Sequence, residues 1–259
     1  MKKAIILFEA IILTALIIIT SLVIVPRLKS DDVKEPTTYA PVVLEVEYDP
    51  FAEYRIDGYS SEQMFNYFTE IVHNAEYSSG DSIHQLTQKW ISPIKYKIYG
   101  APTDDDLRIL NEFFRQLNSL YYFPGIHEVA EGEEENLSIY FIDRNLFDIT
   151  FGEVVDYETS DGAAEYWFYT DTCEIYSGRV GYVTDIDQQT RSSVLIEELV
   201  NVLGIADTYM REDSIVYQYS SDNLEPSEID WLIIKALYHP LISPGMTAEE
   251  CKSTPLFTY

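Results

Sequence analysis

The sequence predicts an α+β domain, and three observations carry that expectation. Residues 137–142 (LSIYFI) read as a strand. Residues 164–169 and 173–183 read as two further strands in succession. Apolar residues recur at helical spacing before, between and after them, and strands interleaved with helices in this way imply a mixed sheet packed with helices.

Taken in order, the first helix starts at Ser60 or Ser61 and buries Met64, Phe65, Phe68, Ile71 and Val72. The stretch YSSG at 77–80 breaks it, and a short helical segment with Ile83 and Leu86 leads to Trp90. Residues 94–99 alternate as a strand, and Gly100 and Pro102 turn the chain. Thr103 followed by three aspartates is a strong helix start, because the acids meet the positive end of the helix dipole. Leu107, Leu110, Phe113, Phe114 and Leu117 give that helix its buried stripe. Residues 131–135 read as an acidic loop, and Gly178 and Gly181 as bends or a bulge within a strand. A helix over 188–203 has Val194, Leu195, Leu199, Val202 and Leu203 on its apolar face and Gly204 as its stop. A last helix over 226–238 buries Ile229, Ile233, Ile234 and Leu237.

The N-terminus is of another kind. Residues 4–25 are apolar apart from Glu9, and as a helix they span about 33 Å, the thickness of a bilayer core. No A-x-A cleavage site closes the run, so it reads as an uncleaved signal anchor with residues 1–3 in the cytoplasm. Residues 26–41, rich in Pro, Thr, Lys and Asp, read as a solvated linker, and residues 42–259 as the domain. The expected location is the cell membrane, single-pass, with the C-terminal domain outside the cytoplasm. Ala4 and Glu9 also resemble a prepilin-like leader, which implies an alternative as a pilin-like assembly subunit.

A formal net charge of −27 excludes nucleic acid as an expected partner, since the surface repels phosphate. It favours cations and basic partners. Cys173 and Cys251 are the only cysteines, and outside the cytoplasm they would be either one bridge or two free thiols. Neither sits in a C-x-x-C pattern.

The informative stretch is 197–207, EELVNVLGIAD. It resembles the metzincin zinc motif H-E-x-x-H-x-x-G-x-x-H. Glu198 falls on the catalytic Glu, Gly204 on the turning Gly, and Glu197, Asn201 and Asp207 on the three His positions. Positions four apart share a helix face, and the turn after glycine brings in the third group. Downstream, Ser214, Ile215, Val216 and Tyr217 are similar to the Met-turn stretch of matrixins, with Val216 in place of the Met. Leu224, Glu225, Pro226, Ile229, Asp230, Leu237 and Tyr238 echo the helix that closes those domains. The sequence also resembles a bacterial family of uncharacterised, often envelope-associated domains that carry E-E-x-x-Q-x-L-G-L-x-x-D. Trp90, Pro240, Gly245 and Met246 extend that likeness over 46–251, and Asn201 departs from it where Gln is usual. The resemblance implies a zincin-like fold whose zinc histidines are gone.

Zinc is not expected, because Glu197, Asn201 and Asp207 offer only oxygen, and His73, His84, His127 and His239 are isolated in sequence. An oxygen set of this kind suits Ca²⁺ instead, although no cofactor is the leading expectation. Three arrangements stay open for these residues: a solvated helix face, a polar network in which Asn201 donates to a carboxylate, and an oxygen-ligated cation. The expected function is a non-catalytic module that binds an envelope protein, peptide or wall polymer in a degenerate protease cleft. An extended peptide would add to an edge strand, expected at 178–183. The alternative is a hydrolase with Glu198 as base and an oxygen-ligated cation held by Glu197, Asn201 and Asp207.

Overall fold

The computed structural model describes residues 49–73, 85–130, 132–152, 160–220 and 222–259. The expected anchor (4–25), the linker (26–41), Ala4, Glu9, His84 and the YSSG break lie outside them. Among the described residues, no helix is long and apolar enough to cross a membrane.

After a short 3₁₀ turn at Ala52–Tyr54, α1 spans Ser61–His73, β1 Lys89–Trp90, β2 Ile94–Gly100 and α2 Asp104–Ser119. Next come β3 Ile126–Glu128, β4 Leu137–Ile142, α3 Arg144–Phe151, β5 Gly162–Phe168 and β6 Glu174–Val183. The chain closes with α4 Gln188–Asn201, α5 Glu228–Tyr238 and α6 Ala248–Lys252. Side-chain caps set the helix starts. Thr103 and Asp106 form a capping box on α2, Asp187 accepts from Gln189 N and Thr190 N on α4, and Ser227 and Asp230 form a second box on α5. That cap places the start of α5 two residues after the expected 226.

The sheet is mixed, in the order β1-β6-β4-β2-β3, with β5 also on β6. β1, β2, β3, β4 and β6 run parallel, and β5 runs antiparallel to β6. Gly178 pairs with Leu137 of β4 and with Tyr166 of β5, so β6 lies between two strands. This corrects the expected edge at 178–183. The outer strand is β5, and among the described residues nothing pairs with its far side. A central strand loses both edges to hydrogen bonding and both faces to packing, and the last four residues of β6 are all buried.

The two glycines of β6 are not bends. A Cβ on Gly178 would lie 2.6 Å from Val202 Cγ2, below α4, and one on Gly181 would lie 2.2 Å from the Phe151 ring of α3. They let a helix approach each face of the strand closely. The one register shift in this pair lies opposite Trp167 and Phe168, which face Ser177 and Ile175, so the extra residue is Tyr176 of β6 and the expected bulge sits there rather than at a glycine.

The main core joins α1, α2, α4 and α5 to one face of the sheet through residues such as Phe68, Leu110, Leu117, Ile139, Leu199 and Ile233. A smaller cluster of Phe147, Phe151, Ala163 and Val183 packs α3 on the other face. Cys173 and Cys251 are both buried and free, which decides against a bridge.

Candidate functional site

Helix α4 is buried on most of its circumference, from Arg191 to Val200, as befits a helix between a sheet and other helices. Its first turn is tied down by charge. Arg191 pairs with Asp106 of α2, which has no exposed surface, and donates to Thr184 O at 3.0 Å. Gln188 Nε2 donates to the other oxygen of Asp106 at 2.9 Å. At its far end, carbonyls that a helix leaves unsatisfied are met from two directions. Trp90 Nε1 donates to Val202 O at 2.9 Å, and Tyr238 Oη to Leu203 O at 3.0 Å. Gly204 then turns the chain at φ +95°, and a Cβ there would sit 2.2 Å from Gln88 O. No side chain fits that approach.

The turn returns residues 205–209 to α1. Ala206 N donates to Ile71 O at 2.6 Å, and Glu70 Oε1 accepts from Thr208 Oγ1 at 2.6 Å and from Tyr209 N at 3.1 Å. Asp207 is thereby brought back to α4, where Asn201 Nδ2 donates to Asp207 Oδ1 at 3.0 Å. Of the three arrangements open at the level of sequence, this bond belongs to the polar network. Asn201 Oδ1 is buried, and among the described residues no donor reaches it. Glu197 lies on the same helix four residues before Asn201 and is half-buried. Glu198 is 9% exposed and points to the start of β5. A Cβ on Gly162 would fall 2.6 Å from Glu198 Oε1, so glycine there leaves the space that the carboxylate occupies.

The Met-turn-like residues are anchored rather than open. Ser214 is fully buried: its Oγ accepts from Tyr67 at 2.9 Å and donates to Asp230 Oδ1 at 2.8 Å. Asp230 Oδ1 also accepts from Tyr67 at 2.8 Å, and Asp230 Oδ2 accepts from Ile215 N at 3.0 Å. Ile215 and Val216 are buried. Thr208 N donates to Val216 O at 2.8 Å and Gln218 N to Thr208 O at 3.1 Å, so Tyr217 runs parallel to Thr208 beside the site. Burial and the neighbouring Asp230 push the Tyr67 hydroxyl far above the usual phenol range. The network is a neutral phenol and a serine around one carboxylate.

The donor set does not fit zinc. Glu197, Asn201 and Asp207 present no imidazole or thiolate, and the described histidines lie elsewhere. His73 Nε2 meets Thr87 Oγ1 at 3.1 Å, His127 lies on β3, and His239 packs among Phe51, Tyr54 and Tyr122. Among the described residues, no group of three His, Cys, Asp or Glu could hold a metal.

The model of a family described as "Protein of unknown function (DUF2927)" matches residues 61–254. The chain belongs to the DUF2927 family. No curated protein matches it. The matched span of the DUF2927 domain runs from α1 to the end of α6 and so contains α4, the turn at Gly204 and the Ser214–Tyr217 segment.

One buried group of this DUF2927 domain escaped the sequence reading. Lys89, 5% exposed, donates to Leu237 O at 2.9 Å, His239 O at 3.4 Å and Ile242 O, closing the C-terminus of α5. Burial pushes its ammonium down to about 8. The available signal was its place next to Trp90, at the start of an apolar segment.

Proposed function

We propose that the domain is a non-catalytic binding module on a zincin-like scaffold that receives an extended peptide along β5, outside the cytoplasm and tethered by residues 4–25. The observation that carries this reading is the position of β5: it is the outer, antiparallel strand, paired on one side only among the described residues, and its start lies against Glu198 of α4. An outer strand offers a row of N–H and C=O groups to a second chain. The Asn201–Asp207 bond supports the loss of zinc chemistry, because two residues at histidine positions of the resemblance satisfy each other. The zincin-like reading draws further support from the order of the parallel strands, the antiparallel outer strand and the helix after β6.

Alternating N-methylation of a bound peptide tests it. Along an antiparallel or parallel ladder, N–H groups point alternately toward and away from the partner strand. A peptide that the full chain retains from a random library should lose binding when one alternate set of amides is methylated and keep it when the other set is. Equal tolerance of both sets would remove strand addition as the binding mode.

One observation favours a second reading, hydrolysis with Glu198 as base. Glu198 is buried and held at the start of the same strand, as a base acting beside a bound peptide would be. Cleavage of the retained peptide, abolished by Glu198→Gln, would establish it; an intact peptide after prolonged incubation would dismiss it.

A further inference from the structure

We infer that the segment after Asp207 carries a subsite for a cationic side chain, a lysine or arginine of the bound peptide, formed by the rings of Tyr209, Tyr217 and Tyr219. This deepens the peptide-binding reading and rests on it for the identity of the ligand. The Thr208–Tyr217 bridge sets two stretches side by side. It brings the Tyr209 and Tyr219 rings to 5.9 Å and the Tyr217 and Tyr219 rings to 5.6 Å, both edge-on. Edge-on rings present their faces in different directions, which makes a corner rather than a flat stack. The corner is solvent-facing: Tyr209 is 50% exposed, Tyr219 70%, and Met210 beside them 73%. Large side chains gathered in the open mark a contact surface.

The chemistry around the corner selects the sign of the ligand. Ring faces carry negative potential and attract ammonium and guanidinium groups. Glu70 accepts from Thr208 Oγ1 and from Tyr209 N, at the backbone of the segment that carries the corner, and Asp207 precedes Thr208 in the chain. A cation complements ring faces and nearby carboxylates together; an anionic side chain complements neither. The domain's own chemistry repeats the pattern nearby. The Arg211 guanidinium lies 5.4 Å from the Tyr59 ring centre and 5.2 Å from that of Tyr67. Arg211 pairs with Asp213 and is directed to those inner rings, so it does not fill the outer corner. The net charge of −27 adds long-range attraction for such a partner.

The test compares charge at constant shape. N-acetyl-arginine methylamide and its citrulline counterpart differ in charge and hardly in size. Titrated into the full chain and followed by nuclear magnetic resonance, the arginine compound should shift the signals of Tyr209 and Tyr219. It should bind about tenfold more tightly than the citrulline compound. In Tyr209→Leu/Tyr219→Leu the preference should vanish while thermal melting stays unchanged, and the single Tyr219→Leu variant provides the same test if the double variant melts early. Equal binding of the two compounds, or a preference that survives the leucines, overturns the subsite. Short peptides carrying either residue separate the two ideas. Peptides that bind equally well with arginine or citrulline leave strand addition intact and remove the subsite. Selective arginine binding with no N-methylation pattern keeps the subsite and removes strand addition.

Discussion

Asn201 and Asp207 are joined side chain to side chain, Nδ2 to Oδ1 at 3.0 Å, across the turn that Gly204 makes possible. A bond between an amide and a carboxylate in a half-buried place should be worth about 1.5–3 kcal/mol. A double-mutant cycle with Asn201→Ala and Asp207→Ala, measured by denaturant unfolding, should show coupling of that order. Additive effects would mean that the two residues act independently.

Gly204 holds the turn through its positive φ and its approach to Gln88 O. Gly204→Ala should cost about 3 kcal/mol or more, since the new Cβ meets backbone that cannot move aside. Gly162→Ala should cost less, because its Cβ meets the Val194 and Glu198 side chains rather than backbone and no positive φ is involved. The order of the two unfolding midpoints checks this, and a reversed order would contradict it.

Arg191 and Asp106 form a buried pair between α4 and α2. Removing one partner leaves a buried charge, so Arg191→Met should destabilise by about 3–5 kcal/mol. The double variant Asp106→Leu/Arg191→Met should recover most of that loss. Failure to recover would show that the Asp106 cap on α2 and its bond to Gln188 matter more than the charge itself.

Burial lowers both His73 and His239 below the usual imidazole range, with Lys89 adding to the effect at His239. His239 Nδ1 accepts from Leu241 N at 3.1 Å, which needs the neutral ring. Below about pH 6.5 the unfolded chain binds protons that the folded domain refuses. Stability from these groups is therefore complete above that pH and falls as pH drops toward the folded values. The drop in melting temperature between pH 7.5 and pH 5.5 should be smaller in His73→Gln than in the unaltered chain. An equal drop would acquit His73.

Much of this fold is legible in the sequence, where the signal is local. Thr103 with its three aspartates, the strand run of 137–142 and the apolar spacing of 188–203 each fall within a few residues, and the elements lie close to where those signals put them. Helix α3 was missed because only Phe147 and Phe151 mark its buried side, and a single residue, Asp143, separates it from β4. β3 has three residues and one buried side chain, too few for a period. The outer strand was misassigned because two adjacent strands look alike until their partners are known. Lys89 reads as a solvent-facing lysine, and the carbonyls that hold it come from Leu237, His239 and Ile242, far along the chain. In the site, the spacing of Asn201, Gly204 and Asp207 was readable, but the Tyr67–Ser214–Asp230 network joins three distant segments and has no local pattern.

Hydrogen exchange on β5 tests the central claim most directly. With a retained arginine-containing peptide bound to the full chain, amide exchange should slow across 162–168 and stay unchanged in β3 at the other end of the sheet. Unchanged exchange in β5, or protection confined to β3, would contradict peptide addition at this strand.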